Sequence, residues 1–173
     1  MLFSYRIHQQ HTQYNYMSSI RITNERPDTP EVRELIEELD HHLTSLYPIE
    51  VRYGLSIPRL LEEKVAFFVL HYDDLPVGCG GIQCIGKDYA ELKRMYVRPS
   101  YQRMGLGKKI VAHLEAYAQN QRIPIIRLET GIYQESAIRL YEQMGYQKIA
   151  SFGDYQDGPF NLFFEKSISL RKP

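Results

Sequence analysis

Apolar side chains recur at every third or fourth position after Pro30, and this spacing predicts a helix with one buried face. Asp28 and Glu31 are spaced as a capping box, and Pro48 ends the pattern. The apolar positions are Val32, Leu35, Ile36, Leu39, Leu43 and Leu46. The acidic positions between them predict a solvent-exposed face, with the alternative that its end borders a site for a cationic substrate. They are Glu34, Glu37, Glu38 and Asp40.

Strand-like and helix-like segments then follow in an order that predicts the fold class. A strand over Ser19–Thr23 precedes the first helix, and a short helical turn over Ser56–Glu62 follows it. Three strands of an antiparallel meander are predicted over Val65–Tyr72, Val77–Ile85 and Tyr89–Val97. The last segments are a helix from about Gly105 to Asn120, a strand Ile125–Glu129, a helix Glu135–Met144, and strands Tyr146–Ser151 and Leu162–Lys166. We therefore expect an α+β fold, with a mixed, largely antiparallel sheet flanked by helices.

The composition is typical of one globular domain. The chain has 173 residues, of which 43% are hydrophobic and 24% charged. Lys plus Arg and Asp plus Glu each number 21, and the resulting net charge of zero argues against a general nucleic-acid or membrane-surface binder. The longest apolar run, Val65 to Leu70, is far shorter than the roughly 20 residues of a membrane-spanning helix. We therefore expect a cytoplasmic protein without nucleic acid or membrane as a partner.

The first sixteen residues differ in composition from the rest. Residues 1–16 are rich in Gln, His and Tyr and contain no acidic residue, so we expect a flexible extension before a single domain over 17–173. No apolar stretch of signal-peptide length is present there. Cys79 and Cys84 are five positions apart on a predicted strand, which sends their side chains to opposite faces. We interpret both as small buried hydrophobic residues and assign neither a disulfide nor a metal site.

A basic segment with two glycines joins the third meander strand to the next helix. It reads LKRMYVRPSYQRMGLGKK, from Leu92 to Lys109, and contains six Lys or Arg residues and no acidic residue. Backbone N–H groups at a helix N-terminus bind phosphate oxygens, and Gly105 and Gly107 let a ligand approach the main chain. The spacing fits neither the Walker loop nor the dinucleotide fingerprint. The segment predicts a phosphate cradle of another kind.

The hexapeptide QRMGLG, Gln102 to Gly107, resembles the Q/R-x-x-G-x-G/A pyrophosphate loop of the GCN5-related N-acetyltransferases, the GNAT superfamily. Upstream, ELKRMYVRP from Glu91 is similar to the family's fourth strand. Downstream, ETGIYQESAIRLYEQMGYQ, Glu129 to Gln147, is similar to its fifth strand and last helix. The resemblance covers about Ile20 to Ser167 and implies the GNAT fold, acetyl-CoA as cosubstrate and acetyl transfer to an amine. A non-catalytic acyl-CoA-binding module is the alternative.

The resemblance also implies which residues contact acetyl-CoA. Backbone N–H groups of the loop would hold the pyrophosphate, and the end of the fourth strand would pair with the pantetheine arm. Lys and Arg around the loop would meet the remaining phosphate charge. Gln134 stands where many members have Asn, and Arg103 stands at a position where glycine is frequent. The implied contacts are Met95, Tyr96, Val97, Gln102, Arg103, Met104, Gly105, Leu106, Gly107, Lys108 and Gln134.

Two catalytic residues follow from the same resemblance. A primary amine is mostly protonated at neutral pH, so its attack on a thioester requires a base, and Glu91 is the candidate. The alternative is that Glu91 only pairs with Lys93 or Arg94. The family uses the tyrosine of its LYExxGY-like helix as the acid that protonates the leaving thiolate, and this position is Tyr141. The alternative is core packing, because an apolar stripe comprises Ala137, Leu140, Tyr141 and Met144.

The resemblance places the acceptor beside the segment after the first helix and the loop before the last strand. These segments contain Tyr47, Glu50, Arg52, Tyr53, Asp154, Tyr155 and Asp157. Aromatic walls with a few charges favour a small amine or amino acid over a long peptide, so we assign acceptor binding to Tyr47, Tyr53 and Tyr155. The alternatives are a protein or peptide N-acetyltransferase, or tyrosines that are only partly exposed surface residues. The expected partners are acetyl-CoA and an amine acceptor, bound by a monomer or homodimer.

Overall fold

A computed structural model of the chain describes residues 18–47 and 54–170. The strands are β1 (Ile20–Glu25), β2 (Ala66–Tyr72), β3 (Leu75–Ile85), β4 (Tyr89–Val97), β5 (Ile125–Gly131), β6 (Gln147–Ile149) and β7 (Asn161–Ser167). The helices are α1 (Pro30–Thr44), α2 (Ile57–Glu62), α3 (Leu106–Asn120) and α4 (Glu135–Gln143), with one turn of 3-10 helix over Pro99–Tyr101. The predicted extension, residues 1–16, lies outside the described residues. None of the described helices is both long enough and apolar enough to cross a membrane.

The strands form one seven-stranded sheet in the order β1-β2-β3-β4-β5-β7-β6. Strands β4 and β5 are parallel and are connected through α3, whereas every other neighbouring pair is antiparallel. The predicted meander, the β–α–β unit and the α+β class are therefore confirmed. Strand β7 lies between β5 and β6 and pairs with both, so the last strand in sequence is not the last in the sheet.

Helices cover both faces of the sheet, and each covered face has its own buried cluster. On one face, Leu106, Ile110 and Leu114 of α3 belong to a cluster with Phe68 and Leu70 of β2. On the other, α1 and α2 pack on a smaller cluster that includes Phe67 and Val69. Strand β2 is thus buried on both faces, which explains why its sequence is a continuous apolar run rather than an alternating one.

The predicted capping box at the start of α1 is wrong. The N-cap residue is Thr29, one position after Asp28, and its side chain makes no capping hydrogen bond. The carboxylate of Asp28 instead accepts hydrogen bonds from the Arg26 guanidinium at 2.8 and 3.0 Å. Both carboxylate oxygens of Asp28 thus bind a residue two positions away in a charge-assisted contact. The carboxylate therefore does not cap the helix. Pro30 does occupy the first turn, as predicted.

The acidic face of α1 is not simply solvent-exposed: Glu38 and Asp40 are partly buried, which corrects the prediction for these two residues, whereas Glu34 is exposed as predicted. Glu34 and Glu38 both contact Arg98, at 2.9 and 2.8 Å, and Asp40 Oδ1 lies 2.5 Å from Arg94 Nη1. Helix α1 packs on β3 and β4, and Arg94 of β4 and Arg98, the residue after β4, contact it. The sequence pattern shows which helix positions are polar but does not show that a neighbouring strand supplies cations.

The two cysteines differ in environment, so the interpretation of both as buried is wrong for one of them. Cys79 is fully buried in the cluster beneath α1 and α2. Cys84 is exposed, because it lies next to the end of β3, where the hairpin to β4 extends beyond the covering helices.

Candidate active site

The central feature of the site is the separation of the parallel strands β4 and β5. They pair over only three positions, from Ala90 opposite Ile126 to Leu92 opposite Leu128. Strand β4 nevertheless continues to Val97, and β5 continues to Gly131. Beyond Leu92, the backbone groups of β4 that face β5 have no ladder partner there. This exposed edge fits the predicted strand-like contact of Met95, Tyr96 and Val97 with an extended ligand.

A bulge in β4 accompanies this separation. Lys93 pairs with Gly81 and Tyr96 with Cys79, so two residues of β4 lie opposite Gly80. One of these is Arg94, whose backbone is left-handed, with φ of 53°. Its guanidinium donates to the Leu55 carbonyl at 2.8 Å and to Asp40, which holds the bulge against α1. The Arg94 side chain is therefore part of the scaffold rather than a free phosphate contact.

The predicted phosphate loop leads into the N-terminus of α3. Arg103 and Gly105 both have positive φ, and Gly105 is the N-cap residue. The first intrahelical bond runs from Lys109 N to Gly105 O, which leaves the N–H groups of Leu106, Gly107 and Lys108 available for an anion. Gln102 turns back, and its Nε2 donates to the Val97 carbonyl at 3.0 Å. Gln102 thus fastens the loop to the end of β4.

Three exposed cations surround this loop, namely Arg103, Lys108 and Lys109. They form no ion pair with any residue of the two described ranges. The other cations of the basic segment are engaged elsewhere, because Lys93, Arg94 and Arg98 pair with carboxylates. The positive electrostatic potential at the loop therefore comes from three of the six basic residues of the segment.

A cavity of about 110 Å³ lies where β4 and β5 separate. Its lining includes Glu91, Glu129, Tyr141 and Tyr155. Glu91 and Glu129 project from the opposite face of the sheet to Leu92 and Leu128, because side chains alternate along a strand. Tyr141 packs in the cluster on the Leu92 and Leu128 face. The cavity therefore joins the two faces of the sheet at the place where β4 and β5 separate.

Glu91, the base predicted from the sequence, is 5% exposed and has two partners. Its Oε1 lies 2.6 Å from Lys93 Nζ and accepts a hydrogen bond from the Tyr155 hydroxyl, also at 2.6 Å. Lys93 Nζ also donates to the Tyr155 hydroxyl at 3.0 Å. Burial and the negative charge of Glu91 raise the pKa of Tyr155, so this phenol stays protonated. The pairing of Glu91 with Lys93 that the sequence left open is thus present.

Glu129 is a candidate site residue that sequence reasoning did not single out. It lines the same cavity and forms no ion pair within the described part of the chain. Burial raises its pKa to about 7, and the charge of Glu91 adds to this effect while Lys93 opposes it. The available signal was its position: it is the last residue of the predicted strand Ile125–Glu129, on the face shared with Glu91 and twelve residues before Tyr141. A carboxylate that titrates near neutral pH is suited to accept a proton.

Tyr141 combines both roles that the sequence allowed. It is 4% exposed and packs against Tyr146 and Phe164, with ring centroids 5.7 and 6.3 Å away. It also lines the cavity. Burial, followed by the charge of Glu129, raises the pKa of its phenol, so the group is neutral and protonated over the physiological range. A neutral phenol at this place is able to donate a proton to a leaving anion.

The remaining predicted residues frame the cavity. Gln134 accepts hydrogen bonds through Oε1 from Gly131 N at 2.9 Å and Thr130 Oγ1 at 3.1 Å, which leaves its amide N–H groups as donors. Tyr47 reaches across from the end of α1, and its hydroxyl accepts from the backbone N–H of Tyr133 at 2.7 Å. Both Gln134 and Tyr47 line the cavity. Tyr53, with Glu50 and Arg52, lies outside the described residues.

The sequence profile of the acetyltransferase (GNAT) family matches residues 25–146 of the chain. The chain belongs to this family. It is an acetyl-CoA-dependent N-acetyltransferase, which confirms the resemblance, the enzyme class and the cosubstrate predicted from the sequence.

Individual relatives agree with this assignment. An Azospirillum brasilense protein named as an IAA acetyltransferase is 35% identical over 153 residues, which is 88% of this chain and all of that protein. A crystal structure described as an acyl-CoA N-acyltransferase of Klebsiella pneumoniae is 33% identical, with a TM-score of 0.74, and the match covers 86% of this chain and 97% of that one. The PaiA N-acetyltransferase of Thermoplasma acidophilum, in complex with coenzyme A, shares the fold at a TM-score of 0.69 and 21% identity over 87% and 99% of the two chains.

Proposed function

We propose that this acetyltransferase transfers the acetyl group of acetyl-CoA to the primary amine of a small acceptor bound in the cavity between β4 and β5. The observation that carries the proposal is that Glu129 and Tyr141 line one cavity at the point where the strands separate. Attack of an amine on a thioester needs a group that accepts a proton and one that donates a proton. These two residues have protonation states suited to those tasks.

The residues act in the following order. Glu129 takes a proton from the acceptor's ammonium group, and the neutral amine forms a bond to the thioester carbonyl carbon. The carbon–sulfur bond then breaks, and the leaving sulfur receives the phenol proton of Tyr141. The nitrogen loses two protons in all. The first goes to Glu129, and the second goes to Tyr141, where it replaces the proton that Tyr141 gave to the leaving sulfur.

Glu91 has a different place in this proposal. Its carboxylate is held by Lys93 and Tyr155, and its negative charge raises the pKa of Glu129. We therefore assign proton acceptance to Glu129 and a positioning role to Glu91. Glu91, the base predicted from the sequence, is the competing assignment. The pH dependence of kcat/KM in Glu129→Gln and Glu91→Gln distinguishes the two assignments.

The chain's residues also fit the binding of acetyl-CoA. The free N–H groups at the start of α3 and the exposed Arg103, Lys108 and Lys109 suit the phosphates. The unpaired edge of β4 suits the amide groups of the pantetheine arm. Both features converge on the cavity because the loop follows directly from β4.

A small acceptor is favoured by the shape of the cavity. Its volume of about 110 Å³ leaves little room, and the rings of Tyr47, Tyr155 and Phe160 line it. The contact between Tyr47 and the backbone of Tyr133 joins the end of α1 to the loop after β5. A long peptide would require an open channel along this surface.

The test measures release of free thiol from acetyl-CoA by the purified protein with small amines, amino acids and peptides. We expect release with small amines and loss of release in Tyr141→Phe. Release with peptides alone would establish the peptide alternative. Calorimetric binding of acetyl-CoA without any thiol release would establish a non-catalytic binding module.

A further inference from the structure

The cations that line the cavity are already neutralised by carboxylates of this chain. Lys93 pairs with Glu91, and Arg94, whose side chain is 5% exposed, pairs with Asp40. Glu129, in contrast, has no ion-pair partner among residues 18–47 and 54–170. The described lining therefore offers a ligand one uncompensated carboxylate and no uncompensated cation.

Apolar side chains line the cavity on the side of α1, next to the Arg94–Asp40 pair. Leu39 and Leu43 of α1 and Leu55 line it, together with the rings of Tyr47 and Phe160. The Tyr47 hydroxyl oxygen accepts from the Tyr133 N–H group, which fixes the ring as part of this wall. Such a wall binds apolar groups by removing them from water.

We propose that the acceptor is a monoamine with a compact apolar body and no carboxylate, an inference that rests on the proposed acetyl transfer at this site. Its one ammonium group is matched by Glu129, and its body by the apolar wall. An amino acid would bring a carboxylate beside Glu91 and Glu129, where the cations of the described lining, Lys93 and Arg94, are already paired. The second ammonium group of a diamine would be desolvated against leucine and aromatic side chains.

Matched substrate pairs test the inference with the wild-type enzyme. Phenethylamine and phenylalanine differ by a carboxylate, and pentylamine and cadaverine differ by a second ammonium group. We expect kcat/KM for thiol release to be at least about tenfold higher for the monoamine of each pair. Equal or higher kcat/KM for phenylalanine or cadaverine would overturn the inference.

Two further outcomes separate this inference from the proposed function. Thiol release with a peptide α-amine, and with none of the four small amines, would overturn the monoamine class while retaining acetyl transfer. Absence of release with all of them, from protein that binds acetyl-CoA, would overturn the proposed function itself.

A charge variant tests the reason for the specificity. Asp40→Asn removes the anion that neutralises Arg94, so we expect the ratio of kcat/KM for phenethylamine over phenylalanine to fall by about threefold or more. Glu34→Gln is the matched control, because it removes the same charge from α1 at its contact with Arg98. An unchanged ratio in folded Asp40→Asn, or an equal fall in Glu34→Gln, would overturn the assigned role of the Arg94 pair.

Discussion

The ammonium group of Lys93 lies 2.6 Å from the carboxylate of Glu91, on the same strand two positions away. This contact neutralises one of the two carboxylates in the described lining of the cavity, and Glu129 is the one without an ion pair among residues 18–47 and 54–170. Burial raises the pKa of Glu129 above its usual range, and the negative charge of Glu91 adds to this shift because like charges disfavour joint ionisation. The two glutamates therefore have different protonation behaviour although they share a cavity.

Glu129→Gln removes the proposed proton acceptor while keeping the side-chain shape. We expect kcat/KM to fall by roughly 10² to 10⁴, with loss of the rise in rate around pH 7 and little change in acetyl-CoA affinity. Steady-state kinetics across pH measure this effect. Glu115→Gln, which removes a carboxylate paired with Lys166 outside the cavity lining, is the control. A wild-type rate and pH profile in Glu129→Gln would remove Glu129 from the mechanism.

Glu91→Gln tests the coupling between the carboxylates. It removes a like charge and leaves the Lys93 cation uncompensated, and both changes lower the pKa of Glu129. We expect the acid limb of kcat/KM to lie near pH 7 in the wild type, because the pKa of Glu129 is raised to about 7, and to move to lower pH in the variant. If the rise in rate instead disappears, Glu91 is the base, as the family resemblance implied.

Tyr141→Phe separates proton donation from core packing. The ring that contacts Tyr146 and Phe164 is preserved, so the melting temperature is expected to stay near that of the wild type. We expect kcat to fall by roughly 10² or more, because the leaving thiolate loses its proton donor. Turnover and thermal melting are measured on the same preparation. Unaltered turnover in the folded variant would limit Tyr141 to a packing role.

Gly107→Glu tests the phosphate loop. A carboxylate at the second residue of α3 brings negative charge to the helix N-terminus proposed to hold a phosphate, so we expect calorimetry to detect no CoA binding. Gly107→Ala is the control for packing, because an added Cβ would lie 3.1 Å from Leu140 Cδ2. We expect Gly107→Ala to keep CoA affinity within about threefold once the flexible Leu140 side chain shifts. Undiminished affinity in folded Gly107→Glu would move the cradle elsewhere.

The two cysteines are expected to differ in reactivity. Burial raises the pKa of the Cys79 thiol to about 12, whereas Cys84 is exposed. An aromatic disulfide reagent at pH 8 should therefore titrate one thiol per folded chain, and a second only after denaturation. Cys84→Ser should abolish the fast reaction, which also removes the background from thiol-release assays. Rapid reaction of two thiols in the folded protein would contradict the burial of Cys79.

The sequence by itself determined the order and type of most elements. The apolar positions of α1 and α3 repeat at helical spacing, and the same residues, such as Leu35 and Leu114, are buried in the structure. The sequence also indicated the glycines at the start of α3. A left-handed backbone and the close approach of a ligand depend on only a few neighbouring residues. Helical spacing and turn formation depend on residues that are close together in the sequence.

Only the tertiary structure decided which side chains meet. Glu91 contacts Tyr155, which is 64 positions away in the sequence. Arg94 contacts Asp40, 54 positions away. The residues next to Glu91 or Arg94 in the sequence do not specify these partners. The same holds for Glu129 and Tyr141, which approach one cavity from opposite faces of the sheet because β4 and β5 stop pairing after Leu92. Ionisation depends on burial and on charges within a few ångströms, and both are set by how distant segments pack together. The sequence could therefore indicate an acetyltransferase. Which carboxylate of the described cavity lining lacks an ion pair depended on how the chain folds.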